Sequence, residues 1–543
     1  MLKAGTCLHL TLTVSKTGVS GWKVSSTSWD DEVTTGGKPG EDSEVTVIEN
    51  TVGGLGATLN SFSGTKLMIT GEINDADMGA LKEAIKNKNI TEVYITATGV
   101  TDLGKEAFSG CITLESISMP GVTGSIGDAA FSDCNTLQSI SLPEMTGDIG
   151  NSTFKGCTAL QSVSMPKVTG SIKYAAFEGC IALQSVSMPK VTGSIGDYAF
   201  NGCKALESIN MPKATGSIGG YAFKGCTALK SISMPKAAGS IGNYAFNGCT
   251  ALESISLPEA AGSIGGAAFN GCTALESISM PKAAGSIGNS AFQNCKALKS
   301  INMPEVTGGI GEFAFNGCTA LESISLPEAA GSIGSRAFFN CTALESISMP
   351  GAAESIGDYA FYGCTALESI SLPEAAGSIG SRAFYGCTAL ESINMPKAAG
   401  SIGVYAFQDC KALKSVSLPK VTGGIEDFAF WNCKALESIS LPKVTSIRDY
   451  AFQGCTSLES IVLSGYDLNQ NQVSLPTVGS SVFRDCPVSI LFLRDVPQEI
   501  DANTVAAACQ SWADVSWKAI HYDYDDLNDD TDVGSYSGHW LRP

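Results

Sequence analysis

The chain has three histidines in 543 residues, His9, His521 and His539, and none of them lies in its long middle stretch. Imidazole-assisted nucleophilic or acid–base chemistry therefore has no partner there. Serine-hydrolase elbows, HExxH pairs, P-loops and dinucleotide-binding glycine runs are also missing. Charge is scarce: Asp, Glu, Lys and Arg make up 16 % of the residues, and 34 basic groups face 53 acidic ones, a net charge of −19. Without a basic stripe or a lysine-rich run, a nucleic-acid partner is not expected. Apolar runs are only a few residues long, well short of the roughly 20 that cross a bilayer as a helix. No two cysteines form a CxxC pair, which removes the commonest metal signature. The expectation is a non-enzyme with no cofactor and no metal.

What fills the chain instead is one phrase repeated. Phe108, Phe131, Phe154, Phe177, Phe200, Phe223, Phe246, Phe269, Phe292, Phe315, Phe338, Phe361, Phe384, Phe407 and Phe430 follow one another every 23 residues. Phe452 comes one residue early, and a looser copy carries Phe483. A fixed short period means a solenoid, because a single unit cannot bury its apolar side without neighbours. Within a unit, Leu321, Ile324 and Leu326 follow Cys318 by three, six and eight residues. The last two have strand spacing and share a face, so Ser323 and Ser325 point the other way. Pro327 would end the strand, since it has no N–H to donate. Ile333 follows between glycines. A short helical turn then carries Phe338 and Cys341 at i and i+3, on one side. Leu, Ile and Phe columns are the expected core.

Seventeen of the nineteen cysteines stand in one column of the repeat, leaving Cys7 and Cys509 outside it. Thiols stacked with parallel Cβ vectors about 4.8 Å apart are poorly aimed for disulfides. Reduced, buried thiols acting as small apolar fillers are expected.

The pattern LxSIxLPxxxxSIGxxAFxxC resembles the BspA-like leucine-rich repeat family, also called the Treponema pallidum type, over roughly two thirds of the chain. That resemblance implies an α/β repeat solenoid, a right-handed leucine-rich-repeat arc with a parallel sheet on one face and short helical or irregular turns on the other. The family consists largely of surface proteins of host-associated anaerobes and some protists, and several members look like adhesins. The resemblance thus implies a cell-surface or secreted protein with no catalytic role, binding a host extracellular or cell-surface macromolecule, a glycan or another microbial cell; a monomer is expected.

Around the array, which runs from 108 to 463, the character changes. In residues 1–45, Leu8, Leu10, Leu12 and Val14 alternate with polar residues as in a strand, and Gly36, Gly37, Pro39 and Gly40 read as a linker. HLTLTVSKTGVSGWKVSSTSW resembles the closing strands of fimbrillin-type adhesin domains. This segment is either the remnant of an upstream β domain, with an export signal lying before Met1, or a disordered leader. Residues 46–107 read as an N-terminal cap: strand at Leu67–Ile69, a helix capped by Asn74-Asp75 with Met78, Leu81, Ala84 and Ile85 on one face, and strand at Ile90–Thr96. GTKLMITGEINDADMGALKEAI resembles caps of Bacteroidetes members of the family. Residues 464–493 form a last, degenerate repeat with an insertion. Residues 494–543 read as a C-terminal cap, with a helix near Thr504–Gln510 and WKAIHY as the final strand. His521 and His539 then fall in a loose tail. Asp523, Asp525, Asp526, Asp529, Asp530 and Asp532 lack the Gly and Glu of a calcium loop and read as a solvated acidic run.

Outward columns offer the binding surfaces. The strand face is a ladder of hydroxyls, and the residues after the proline (Glu144, Lys167, Lys190, Lys213, Lys236, Glu259, Lys282, Glu305) mix both signs, which solvates the edge. On the turn side, the residues two before and one after each Phe share a face. Ser132, Lys155, Glu178 and Asn201 occupy the second of these columns early on. Later it changes: Arg336 with Phe339, Tyr359 with Tyr362, Arg382 with Tyr385 and Phe428 with Trp431, with Tyr405 and Tyr450 nearby. These eight paired residues are the candidate ligand-binding strip, able to stack sugars or seat a protein. The alternatives are lateral packing between turns, for the strip, and a spacer of roughly 75–80 Å presenting another domain, for the array.

Overall fold

The computed structural model describes residues 8–15, 18–26, 45–233, 239–256, 262–279, 285–302, 304–325, 331–348, 354–371, 377–395, 397–398, 400–467, 472–497, 500–510, 512–524 and 539–541. The linker glycines at 36–40, Cys7, Leu326, Pro327, Lys236, Glu259, Lys282 and the acidic run from Asp525 to Asp532 lie outside these. Two compact units result, Met1–Met211 and Pro212–Pro543.

In the first unit, Leu8–Ser15 and Gly18–Ser26 pair as an antiparallel hairpin. A parallel sheet then grows through Thr46–Asn50, Lys66–Gly71 and Glu92–Ile95 into the three-residue strands Ser116–Ser118, Ser139–Ser141 and Ser162–Ser164. Ser185–Ser187 pairs with Ser208–Asn210. The cap helix α2, Asp75–Asn87, buries Met78, Leu81, Ala84 and Ile85 as its spacing requires. A shorter helix, α1 (Leu55–Asn60), precedes it, burying Leu55 and Leu59 one helical turn apart. Asp77 joins the two. Its carboxylate accepts from Gly53 N (2.8 Å), Leu55 N (3.1 Å) and Asn74 N (3.1 Å), while Asn74 accepts from Asp77 N (2.9 Å). One side chain thus serves the start of α1 and closes the capping box of α2. Burial pushes the Asp77 carboxyl up, but these N–H groups outweigh that and hold it below the usual carboxylate range.

The second unit repeats the same coil. Strands from Ser231–Ser233 to Ser300–Asn302 pair in parallel with Ile over Ile, as at Ile255↔Ile278. Another sheet runs from Ser323–Ser325 through Ile490–Arg494 and Ala519–Tyr524. On the opposite side of each coil the glycine-framed isoleucines make a second parallel ladder, including Ile287↔Ile310↔Ile333↔Ile356. It bridges the rung where Ser300–Asn302 and Ser323–Ser325 fall in different sheets. Glycine is required beside it: a Cβ at Gly334 would lie 2.6 Å from Glu312 N.

The core is the expected one. Leu321, Ile324, Phe338 and Cys341 and their counterparts are buried, and the phenylalanines stack face to face at 5.0–5.2 Å between Phe223 and Phe452. The stack passes through Phe483, at 5.5 Å, to Trp512, whose Nε1 donates to Pro476 O at 2.8 Å. All the described cysteines are free thiols. They do more than fill space. The Sγ atoms of Cys134, Cys157, Cys180, Cys203 and the array cysteines from Cys249 to Cys455 donate to a phenylalanine carbonyl of the preceding rung, as Cys341 does to Phe315 O at 3.1 Å.

Two expectations change. The AFxxC segment is not a helical turn: Cys341 N does bond Phe338 O at 3.1 Å, but left-handed residues at Arg336 and Asn340 break any helix. At the C-terminus, the helix α3 spans Ala502–Cys509, but WKAIHY is not the last strand, because His539–Leu541 pairs antiparallel with it. His521 is not loose. It is buried in Ala519–Tyr524, its ring 4.5 Å from Phe492, and burial lowers its pKa.

Candidate functional site

The turn side of each coil carries two residues with positive φ. One precedes the cysteine and is Gly, Asn or Asp in every rung, as at Gly363 (φ 71) and Asn340 (φ 57). The other lies two before the Phe and follows no such rule. Phe313, Arg336, Tyr359, Arg382, Tyr405, Phe428 and Tyr450 all sit there with φ between 54 and 59. A left-handed bulky residue costs roughly 1–2 kcal/mol. It is held because its N–H bonds a carbonyl of the next rung: Arg336 N to Asp358 O and Tyr359 N to Ser381 O, each 2.8 Å. Ala129, Ser152 and Ala175 make the same bond at 2.8 Å with φ of 52–55. The coil sets this conformation for any side chain, so it does not call for aromatics or arginine.

These side chains form one stack on seven successive rungs. Arg336 lies 5.3 Å from the Phe313 ring and 4.8 Å from Tyr359; Arg382 lies 5.4 Å from Tyr359 and 4.6 Å from Tyr405. Phe428 continues it at 4.9 Å from both Tyr405 and Tyr450. Arg382 Nη1 also donates to Tyr359 Oη at 2.8 Å. A second stack runs beside the first in the column after the Phe: Phe339–Tyr362 at 4.8 Å and Tyr362–Tyr385 at 4.7 Å, ending on Gln408, whose Nε2 donates to Tyr385 Oη. Tyr359–Tyr362 and Phe428–Trp431 join the columns at 5.8 and 5.7 Å.

All eight sequence-selected residues therefore lie in one two-column patch. All are half-buried except Trp431, which is exposed. Sequence reasoning missed Phe313, the start of the stack, and a smaller pair, Tyr221 and Tyr244, stacked at 4.8 Å. Reading the column upward from Arg336 would have found both. Stacking along the rungs covers ring faces and turns ring edges, tyrosine hydroxyls and guanidinium edges outward. Burial raises the Tyr385 pKa.

Among the described residues no cluster of three His, Cys, Asp or Glu could hold a metal ion. A cleft beside α3, of about 510 Å³, is lined by Asn503, Ala506, Gln510, Trp517 and their neighbours, none of them titratable. No helix among the described residues is long and apolar enough to cross a membrane.

Stacked parallel coils with Leu, Ile and Phe columns inside define a leucine-rich-repeat solenoid. The chain belongs to the BspA-type leucine-rich repeat family: the pattern described as "BspA type Leucine rich repeat region (6 copies)" matches residues 81–207, 193–308, 285–399 and 377–511. Similar solved structures include a leucine-rich repeat protein from Bacteroides ovatus, 24 % identical, covering 78 % of this chain and 87 % of that one with a TM-score of 0.38. A leucine-rich cell surface protein from Faecalibacterium prausnitzii is 23 % identical, covering 69 % and 86 %, with a TM-score of 0.29. A T. pallidum leucine-rich repeat protein is 20 % identical, covering 41 % and 72 %, with a TM-score of 0.20. No curated protein sequence matches the chain.

Proposed function

We propose that this chain is a non-catalytic binding protein exposed on or outside the cell, and that the strip from Phe313 to Tyr450 contacts a host or microbial macromolecule. The observation that carries this reading is the comparison within one column. Ala129, Ser152 and Ala175 satisfy the coil there as fully as Arg336 or Tyr359. Large side chains on seven successive rungs are thus surplus to the fold, and Arg, Tyr and Trp are the residues that anchor interfaces. Successive rungs offer similar groups repeatedly, which favours multivalent contact. Export is compatible with the cysteines, since thiols at zero exposure are shielded from exchange. The Faecalibacterium neighbour, described as a cell surface protein, agrees with that location.

The test is a variant carrying Phe339→Ser, Tyr362→Ser, Tyr385→Ser and Trp431→Ser, checked for native circular dichroism. It should lose binding to surfaces coated with matrix proteins and to whole cells. Unchanged binding by the folded variant would exclude the strip. The hairpin ahead of the cap, Leu8–Ser26, favours a second reading, in which the repeats are a spacer for a β domain. A truncation series separates the two: repeats that bind nothing, beside an N-terminal part that does, would establish the spacer.

A further inference from the structure

We propose that the arginine–aromatic stack takes a proline-rich segment in the polyproline II conformation; this rests on the strip being the contact surface. The stack alternates strictly over its first five rungs: Phe313, Arg336, Tyr359, Arg382, Tyr405. Like groups therefore recur every second rung. Neighbouring rings in the adjacent column are 4.8 and 4.7 Å apart, so two rungs advance about 9.5 Å. A polyproline II helix has three residues per turn and a 3.1 Å rise, about 9.3 Å per turn. Over the two periods from Phe313 to Tyr405 the mismatch grows to only about 0.4 Å. A β-strand brings a side chain back to one face about every 6.7 Å, which falls out of step within one period.

The chemistry matches as well as the spacing. Polyproline II makes no internal hydrogen bonds, so its carbonyls are open acceptors along its whole length. Arg336 and Arg382 stand one ligand turn apart. A guanidinium has five N–H donors, and the described contact of Arg382 to Tyr359 Oη uses one. Among the described residues neither arginine pairs with a carboxylate, although the chain carries a net charge of −19. These are also its first two arginines. Their cations are complementary to the negative ends of the ligand's carbonyl dipoles, while the ring edges between them pack against prolyl rings. Such a ligand is already extended and loses little freedom on docking. Sugars are disfavoured, since stacking one requires an open ring face and the rings inside the stack are covered on both.

The experiment is fluorescence anisotropy with fluorescein-labelled decaproline, with a (Gly-Ser)5 peptide as control. Saturable binding of decaproline alone is expected, weakened at least tenfold in the Arg336→Lys, Arg382→Lys variant, which keeps both charges but loses the planar fork. No saturation, equal binding of the Gly-Ser peptide, or full affinity in the folded lysine variant would overturn the proposal. The serine variant of the strip separates this from the broader reading. If it loses matrix-protein and cell binding while the wild type ignores decaproline, the strip stands and the polyproline ligand falls. If it retains matrix-protein and cell binding, the strip falls as the contact surface and the polyproline ligand, which rests on it, falls with it.

Discussion

The rungs around Phe154 and Phe177 and those around Phe361 and Phe384 have the same interior and different exteriors. Inside, Phe154–Phe177 stack at 5.0 Å and Phe361–Phe384 at 5.1 Å, and Cys180 and Cys387 bond the preceding Phe carbonyls at 3.1 Å. Outside, the early column is polar: Lys155 pairs with Glu178 at 3.0 Å, and Asn201 Nδ2 donates to Glu178 Oε1 at 3.1 Å. The late column is Phe339, Tyr362 and Tyr385. Both ways of lining a column leave the backbone unchanged, because the bonds between rungs come from N–H and C=O groups common to every residue. The interior specifies the coil; the outward columns are open to a binding role.

If that division is right, the thiols of both regions should be equally inert. Burial pushes Cys272 and Cys318 up to about 12 from an ordinary 9.0, which lowers the thiolate fraction by on the order of a thousandfold. Alkylation followed by mass spectrometry should modify the array only after denaturation, with half-buried Cys486 first. Disulfides between adjacent rungs would refute the packing. Next in size, Phe154→Ala and Phe361→Ala should each lower stability by roughly 3–5 kcal/mol. Hydrogen exchange should localise both losses to neighbouring rungs, and a much smaller effect in one region would break the equivalence of the cores.

The N-terminal cap should differ from the rungs in its response to acid. Asp77→Ala removes three backbone hydrogen bonds to a carboxylate and should cost about 2–3 kcal/mol. The folded Asp77 carboxyl titrates below its unfolded value. Its contribution is therefore complete above about pH 4 and is lost as the pH falls through the lower, folded value. Exchange of residues 46–95 should rise over that range in the wild type and be flat in the variant. Tyr359→Ala should cost only about 1 kcal/mol, from lost stacking, while Ser152→Ala should be neutral. Smallest of all, a double-mutant cycle on Lys155 and Glu178 should give below about 1 kcal/mol, as for other partly exposed pairs. A coupling as large as that of the aromatic stack would mean that the early column is also structurally tuned.

The repeat, the core columns and α2 were legible because each depends on spacing along the chain. Ile324 faces inward because it alternates with Ser323 and Ser325 along its strand, and Asn74 caps α2 through its distance from Asp77. The strip was legible only in part. Arg336 and Phe339 were paired by local spacing, but their main partners lie one rung away: Phe313 and Tyr359 for the arginine, Tyr362 for the phenylalanine. Helix α1 and the strand His539–Leu541 escaped because each is too short to repeat a pattern: six residues carry one helical step, Leu55 to Leu59, and three carry none; Asp77 secures the first and pairing with Ala519–Tyr524 the second.

The sequence by itself determined the coil, since a 23-residue period with buried Leu, Ile and Phe can hide its apolar groups only by stacking copies of itself. Only the tertiary structure decided what the turns do. A bond from Arg336 N to Asp358 O, between residues 22 positions apart, holds the left-handed backbone and aims the side chain along the stack. The cation–π ladder from Phe313 to Tyr405 exists because successive coils set residues 23 apart in sequence within about 5 Å of one another.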